Sequence, residues 1–219
     1  MFGIVNYGAF VAATVALCLT PGIDTVYILT RGIAGGRSEG VASALGINTG
    51  LLVHTVLVSA GLSLVLAASP VAFTAIKVAG AAYLVVMGVR TIAFGGGPAK
   101  LASAAEAAGE SAGEASARGG SSLATYGQGV LTNVLNPKII LFFLALLPQF
   151  VATPNGYGPV PFLLLGLTYT ALSTLWTVAI VFLAAPLSRI LTRSERAQCL
   201  TSVVSGAVYV LLGAAIFLT

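Results

Sequence analysis

Six long apolar stretches, separated by shorter polar segments, run through this chain of 219 residues. A transmembrane helix needs about 20 consecutive and mostly apolar residues, so each stretch is long enough to cross a bilayer. The pattern predicts an all-α integral membrane protein with six transmembrane helices. The spans are expected at about 5–29, 41–68, 72–94, 124–152, 161–187 and 197–218.

Prolines interrupt the first and the fourth stretch at places where a helix would otherwise continue. The first contains Thr20-Pro21-Gly22 and the fourth contains Asn136-Pro137. Proline lacks a backbone N–H and its ring clashes with the preceding turn, which frees backbone carbonyl and amide groups. We therefore expect both spans to be broken there, with the freed groups available to a ligand.

The two halves of the chain resemble each other. The sequence VAGAAY at 78–83 is matched by VSGAVY at 204–209, and LTP at 19–21 by LNP at 135–137. Because each half would hold three spans, an odd number, the second half must be inverted relative to the first. Transporters use inverted repeats with broken leading helices to build a binding site at the bilayer midplane. The predicted organisation is a first repeat over 1–94, a polar flexible cytoplasmic loop over 95–123 and a second repeat over 124–219.

The composition supports the membrane interpretation and excludes several other classes. Charged residues make up only 7% of the chain, hydrophobic residues 58%, and the mean hydropathy is +1.02. A soluble domain has about 25% charged residues, so a soluble enzyme is excluded. The net charge of +4 is spread between apolar stretches, which argues against nucleic acid as a partner. The two cysteines have no CxxC spacing, and we expect neither a metal site nor a cofactor.

The basic residues predict the orientation, because Lys and Arg concentrate in cytoplasmic segments. Segments that would share one side of the membrane carry eight of the ten, and the opposite segments carry none. Both termini are therefore expected outside and the 95–123 loop in the cytoplasm. The first segment, up to position 19, has no basic start and no small-residue cleavage site, so we expect a retained helix there. The eight residues are Arg31, Arg37, Arg90, Lys100, Arg118, Arg189, Arg193 and Arg196.

Two segments resemble the lysine-exporter / homoserine–threonine-resistance family of bacterial inner-membrane amino-acid exporters. They are TPGIDTVYILTRGIAGGRSEGVASALGINTGLLVH at 20–54 and NVLNPKIILFFLALLPQFV at 133–151. The resemblance extends over nearly the whole chain in length, span number and polar central loop. It implies efflux of amino acids or related small metabolites across the bacterial inner membrane, coupled to the proton motive force. One departure is Ile23, where many relatives are expected to have proline.

Asp24 is the one acid within an expected span, directly after the Thr20-Pro21-Gly22 break. A charged group at membrane depth is costly and marks a functional site by default. Asp24 could bind the ammonium group of a substrate, carry a proton, or do both in turn. The alternative is a structural acid that caps the second half-helix or pairs with an arginine such as Arg31.

Lys138 lies in the middle of the fourth span, directly after Asn136-Pro137. It is too deep to reach the surface easily and needs a partner or an anion. Lys138 could bind a substrate carboxylate while Asp24 binds the ammonium group, with the two pairing when the site is empty. The alternative is a permanent Asp24–Lys138 pair that only holds the halves together. Lys77, closer to the outer end of its span, is interpreted as a snorkelling anchor.

Weaker candidates are polar residues that could line a transport pathway or simply join helices. Gln128, Thr132 and Asn136 are spaced by four residues and predict a polar stripe on the fourth span. His54 is interpreted as a hydrogen-bonded packing residue rather than the coupling group. The remaining candidates are Asn48, Gln149, Tyr169, Ser173 and Trp176.

Small residues at four-residue spacing, Ala42, Gly46 and Gly50, with Ser202 and Gly206, predict close helix packing within the chain or across a homodimer. The function favoured by the sequence is a secondary transporter and not an enzyme, with a small zwitterion, protons and the lipid bilayer as partners. The alternatives are a small-solute channel and a membrane redox protein. The redox alternative requires a cysteine near each proline break, but the position that corresponds to Cys18 is Val134.

Overall fold

A computed structural model describes residues 2–19, 22–93 and 121–193, with positions 203, 204, 206, 207, 210, 211, 213 and 214 in the last segment. Most of the described residues are helical, and among them the one β-type pairing is an isolated bridge between Ile4 and Val151. Thr20, Pro21, most of the 95–123 loop and Cys199 lie outside the described residues. The helices are α1 Tyr7–Leu19, α2 Ile23–Ala68, α3 Pro70–Ala93, α4 Ser122–Val134, α5 Pro137–Leu146, a 3₁₀ turn Leu147–Phe150, and α6 Val160–Arg193.

The helices confirm an all-helical protein with several membrane spans. Three are long and apolar enough to cross a bilayer by themselves: Gly35–Ala68, Pro70–Arg90 and Val160–Phe182. Two further spans result if each pair of bent helices counts as one. These pairs are Tyr7–Leu19 with Ile23–Gly32, bent by 49°, and Ser122–Val134 with Lys138–Phe150, bent by 51°. Most of the sixth expected span lies outside the described residues.

The segment between the first two expected spans differs from a simple loop. Helix α2, which is 46 residues long, includes this segment. Its backbone leaves helical geometry only at Gly36, with φ 76° and ψ −170°. A positive φ is accessible to glycine because it has no Cβ. The chain can therefore change direction between Arg31 and Arg37 at the cost of one residue's helical geometry.

Glycines let α2 and α4 approach each other closely. A Cβ added at Gly46 would lie 2.2 Å from the Tyr126 carbonyl oxygen, and one at Gly129 would lie 2.9 Å from the Ser43 carbonyl oxygen. Gly50 faces Asn133 in the same way, with the added Cβ 2.7 Å from its side chain. The expected small-residue packing at 46 and 50 is thus within one chain, and it places α4 against the middle of α2.

Gly46→Ala is expected to lower the midpoint of thermal unfolding in detergent, because the new methyl group collides with α4 backbone. Overpacking of this kind costs about 1–3 kcal/mol, or about 2–12 °C for a chain of this size. Gly61→Ala is the matched control, since it lies in the same helix and no atom lies within 4 Å of its added Cβ. If Gly46→Ala lowers the unfolding midpoint no more than Gly61→Ala does, the close packing of α2 against α4 is wrong.

The end of the molecule away from Arg31 is closed by the N-terminal segment. Its backbone pairs with the chain after the 3₁₀ turn, through Val5 N–H to the Phe150 carbonyl and Ala152 N–H to the Gly3 carbonyl, both 2.9 Å. The rings of Phe10 and Phe150 meet edge to face at 5.3 Å beneath this pairing. The contact fixes the end of the bent α4–α5 pair relative to the start of α1.

Candidate functional site

The start of α5 follows from three consecutive residues. Asn136 is the N-cap: its Oδ1 accepts the Lys138 backbone N–H at 3.0 Å. Pro137 occupies the first turn, where its missing N–H costs nothing and its fixed φ suits a helix. The residue before a proline is disfavoured in helical geometry, so α4 cannot run on into α5. As a result, the Asn136 side chain stands at the bend between the two helices.

A cavity of about 50 Å³ lies where this bend meets the start of α2. Gly22, Asp24, Asn136 and Lys138 from the two connections all line it. A Cβ at Gly22 would lie 3.2 Å from the Lys138 Nζ, so glycine leaves the space that the ammonium group occupies. The structure therefore brings together two pairs of residues, and more than a hundred positions of sequence separate one pair from the other.

The remaining walls of the cavity are mainly apolar. Helix α6 contributes Tyr169 and Trp176 together with two hydroxyl groups. The other helices contribute mostly aliphatic or phenyl side chains, with Cys18 and Thr25 in addition. Asp24 and Lys138 are the only charged residues among its lining, within the described part of the chain. The apolar contributors are Leu17, Ile23, Ile47, Ile139 and Phe142, and the hydroxyl contributors on α6 are Ser173 and Thr177.

Two side-chain amides bind the Asp24 carboxylate. Asn133 Nδ2 donates to Oδ2 at 2.9 Å, and Asn136 Nδ2 donates to Oδ1 at 3.1 Å. Asn133 is completely buried and Asn136 is nearly so. The carboxylate is therefore held by donors from both sides of the α4–α5 bend, rather than by an arginine.

The expected Asp24–Lys138 pairing in the empty site is not observed. Among the described residues no ion pair joins them, and the carboxylate oxygens of Asp24 accept amide N–H groups instead. The hydrogen bond that the structure gives Lys138 is from its backbone N–H, and within the described residues its ammonium group has no partner. The positive charge still acts electrostatically on Asp24. The structure thus places a carboxylate and an ammonium group in one cavity, the ammonium group without a partner in the part of the chain that the structure describes.

The acid–arginine alternative for Asp24 is not observed either. The Arg31 guanidinium donates to Gln128 Oε1 and lies 5.6 Å from the centre of the Tyr27 ring. Gln128 is therefore used in a contact between α2 and α4, away from the cavity lining. His54 is a buried packing residue: its Nε2 lies 3.1 Å from the Asn133 carbonyl oxygen, and its ring lies 6.1 Å from that of Phe143.

The other pathway candidates separate into two groups. Tyr169 lines the cavity, and Asn48 reaches its wall indirectly by donating to Thr177 Oγ1 at 2.8 Å. Gln149, in the 3₁₀ turn, donates to the Ala145 carbonyl of α5, and Thr132 is half-buried on α4. The expected stripe over 128, 132 and 136 does not form, because α4 ends at Val134 before it could reach Asn136.

Asn133 was missed by the sequence analysis, although it makes the shorter of the two bonds to Asp24. A helical spacing of four residues favoured Thr132 instead. The available signal was the pair of asparagines three residues apart, immediately before the proline. One turn of helix separates such residues, so both can face the same point at a helix end.

Comparison with known proteins identifies the family. The family model described as LysE type translocator matches residues 15–219. This chain belongs to that family. The resemblance stated from the sequence is thereby confirmed, and so is the class of transporter rather than enzyme at the level of the family. No solved structure is significantly similar to this LysE type translocator.

Several relatives have names that describe efflux. A homoserine/homoserine lactone efflux protein of Salmonella typhimurium is 32% identical over 160 residues, covering 73% of this chain and 71% of the relative. A leucine efflux protein of Klebsiella pneumoniae is 27% identical over 209 residues, covering 95% and 93%. The membrane protein YrhP of Bacillus subtilis is 31% identical over 175 residues, covering 80% and 81%. The translocator is thus similar to proteins named for efflux of leucine and of homoserine or homoserine lactone, and to a membrane protein whose name gives no substrate.

Proposed function

We propose that this translocator exports amino acids with uncharged side chains, or closely related small zwitterions, by secondary transport driven by the proton motive force. The observation that carries the proposal is the cavity that contains one carboxylate and one ammonium group between mainly apolar walls, the ammonium group having no partner among the described residues. The names of the efflux relatives support the same substrate class. No observation on the described residues favours the channel or the redox alternative.

The charges of the cavity complement those of a zwitterion. The free ammonium group of Lys138 binds the substrate carboxylate, and Asp24 binds the substrate ammonium group. Asn136 and Gly22 complete the site, since one orients Asp24 and the other leaves space for Lys138. In this proposal Thr20, Pro21 and Pro137 contribute through the breaks that the sequence predicts in the first and fourth spans. A charged side chain on the substrate would find no opposite charge in this cavity, which makes it unfavourable to bury.

The proposed architecture has six spans arranged as two inverted three-helix repeats. The two bent helix pairs, at 49° and 51°, support breaks at equivalent positions of the first and fourth spans. The repeats would occupy 1–94 and 124–219, with the 95–123 segment as the cytoplasmic connection. The distribution of the eight basic residues supports both termini outside the bacterial inner membrane. A homodimer is compatible with this arrangement but is not required by it.

The proposed transport cycle begins with a cavity that is too small for the substrate. A volume of about 50 Å³ holds about three to five water molecules, so a leucine-sized substrate requires the walls to separate. The substrate enters from the cytoplasm between the first and fourth spans and binds at the two breaks. Rocking of the repeats then opens the site outward, and an external proton on Asp24 accompanies the return step. Asp24 therefore alternates between substrate and proton.

Counterflow in proteoliposomes tests the substrate class. Vesicles loaded with unlabelled leucine are expected to accumulate labelled leucine or homoserine transiently, whereas lysine and glutamate should compete at least about tenfold more weakly. The reason is the cost of burying a third charge without a partner. Vesicles with the Asp24→Asn and Lys138→Met double variant give the background. Equal competition by lysine and leucine would contradict the proposal.

A further inference from the structure

The two amides that bind Asp24 differ in how firmly they are oriented. The Asn136 amide is engaged at both ends, since its Oδ1 accepts the Lys138 backbone N–H at 3.0 Å while its Nδ2 donates to Asp24. Rotating it by 180° would turn an N–H group toward that backbone N–H and break the helix cap. Asn136 can therefore present only an N–H donor to Asp24.

The Asn133 amide is engaged at one end only. Its Nδ2 donates to Asp24 Oδ2, but its Oδ1 is buried without a hydrogen-bond partner among the residues that the structure describes. A buried acceptor without a partner is uncommon and costs free energy, so its presence calls for an explanation. The Asn133 backbone carbonyl is held by His54 Nε2 at 3.1 Å, so the main chain is fixed while the amide end is not.

The space beside the free end is created by a glycine. A Cβ at position 50 would lie 2.7 Å from Asn133 Oδ1 and 3.0 Å from its Cγ, closer than real contacts allow. The two ends of an asparagine amide are nearly equal in size, so either can occupy this space. Rotation of the amide thus exchanges an unpartnered oxygen for an unpartnered N–H group without a new steric conflict at position 50.

The two protonation states of the Asp24 carboxyl group require different hydrogen-bond partners, and the two orientations of the Asn133 amide can supply them. An ionised carboxylate only accepts hydrogen bonds, whereas a protonated carboxyl group has one O–H donor. The observed orientation of Asn133, with Nδ2 toward Asp24, suits the ionised form. The rotated orientation, with Oδ1 toward Asp24, would accept the O–H of the protonated form. Asn136, whose orientation is fixed, serves the second carboxyl oxygen in both forms.

We infer that Asn133 is a positioning residue for proton coupling, whose amide rotates by 180° to match the protonation state of Asp24. The inference rests on the proposed proton-carrying role of Asp24. No proton passes to Asn133: the proton arrives on Asp24 Oδ2, stays there, and is stabilised by Asn133 Oδ1 until it leaves. The residue acts by keeping one hydrogen bond to Asp24 in each of the two states that the cycle requires.

Other titratable groups surround this pair and set its electrostatic environment. Lys138 from α5 lines the cavity together with Asp24, and His54 from α2 lies next to Asn133. Cys18 from α1 and Tyr169 from α6 line the same cavity. Of these groups, His54 is the one that contacts Asn133, and it does so at the backbone carbonyl. The side-chain amide can therefore rotate without breaking a bond to any of them.

Infrared difference spectroscopy on the full chain in lipid vesicles tests the inference. The side-chain amide carbons of the five asparagines are labelled with ¹³C, and spectra are recorded through a pH titration. In the wild type, the carboxyl band of Asp24, identified by its loss in Asp24→Asn, is expected to appear as the pH falls. A labelled amide band should shift with the same midpoint. That shift should disappear in Asn133→Leu and persist in the neighbouring control Thr132→Val.

The outcomes separate the inference from the proposed function. If the Asp24 carboxyl band titrates without an amide shift, the rotation is wrong while proton carriage by Asp24 stands. If no Asp24 band appears across the titration, proton carriage itself is wrong and the inference falls with it. The wild-type spectra decide both points even if Asn133→Leu fails to fold.

Transport gives a second readout that a merely structural role would not produce. Asn133→Leu should reduce uphill transport driven by a pH gradient at least about tenfold more than it reduces leucine counterflow, since a hydrogen bond to a charged group carries about that factor. Equal losses in both assays would overturn the inference.

Discussion

Asp24→Asn is expected to abolish uphill transport driven by a pH gradient, with a loss of about a hundredfold or more. Asparagine cannot carry a proton, and it cannot supply the negative charge that the proposed site offers to a substrate ammonium group. A hydrogen bond to a charged group contributes about 1.5–3 kcal/mol, and 2.7 kcal/mol corresponds to about a hundredfold. The measurement is accumulation of labelled leucine in inverted vesicles over a range of imposed pH gradients.

The matched control for this prediction is Glu39→Gln. Glu39 is also an acid of α2, but its carboxylate accepts hydrogen bonds from the hydroxyl groups of Ser122 and Thr125. It is not among the residues that line the cavity. Its replacement should leave the dependence on the pH gradient intact. If Asp24→Asn transports as fast as the wild type at every pH, the proton-carrying role is wrong.

Lys138→Met is expected to raise the substrate KM by about ten- to a hundredfold while leaving the fold intact. Methionine keeps much of the aliphatic stem but removes the ammonium group that the proposal assigns to the substrate carboxylate. Loss of one charge-assisted bond, worth about 1.5–3 kcal/mol, accounts for an effect of this size. The ammonium group has no partner among the described residues. Its removal therefore breaks no ion pair within them, and we expect the fold to be retained.

Counterflow at graded leucine concentrations measures this effect, and Lys77→Met provides the control. Lys77 is the other lysine of the described helices, half-buried on α3 and absent from the cavity lining. Its replacement should leave KM within about twofold, as expected for a residue outside the site. An unchanged KM in Lys138→Met would show that the carboxylate of the substrate binds elsewhere.

The membrane character of the protein could be predicted because it depends on composition and run length alone. Stretches of 20 or more apolar residues with few charges cannot be placed in water, whatever the tertiary fold. The sequence also predicts a break before Lys138, since Pro137 acts on its own turn of the backbone, and the helices on either side of this point are bent by 51°. Such effects are local, and neighbouring helices can modify them but not remove them.

The partners of the candidate residues could not be predicted in the same way. Spacing along the chain favoured Thr132 over Asn133, because it assumed that one helix continued to Asn136. It also suggested a pair between Asp24 and Lys138, because opposite charges attract. In the structure the amides of Asn133 and Asn136 donate hydrogen bonds to the Asp24 carboxylate. Arg31 instead donates to Gln128 and lies over the Tyr27 ring.

The sequence by itself determined that the chain is helical, lies in a membrane and belongs with the exporters whose motifs it carries. These properties follow from apolar run length, proline positions and short local motifs. Only the tertiary structure decided that Asn133 faces Asp24, that Lys138 and Asp24 line one cavity, and that Gly50 makes space for an amide. Those contacts join α2 to α4 and α5 across about a hundred residues, and close packing rather than local sequence selects among the possible partners.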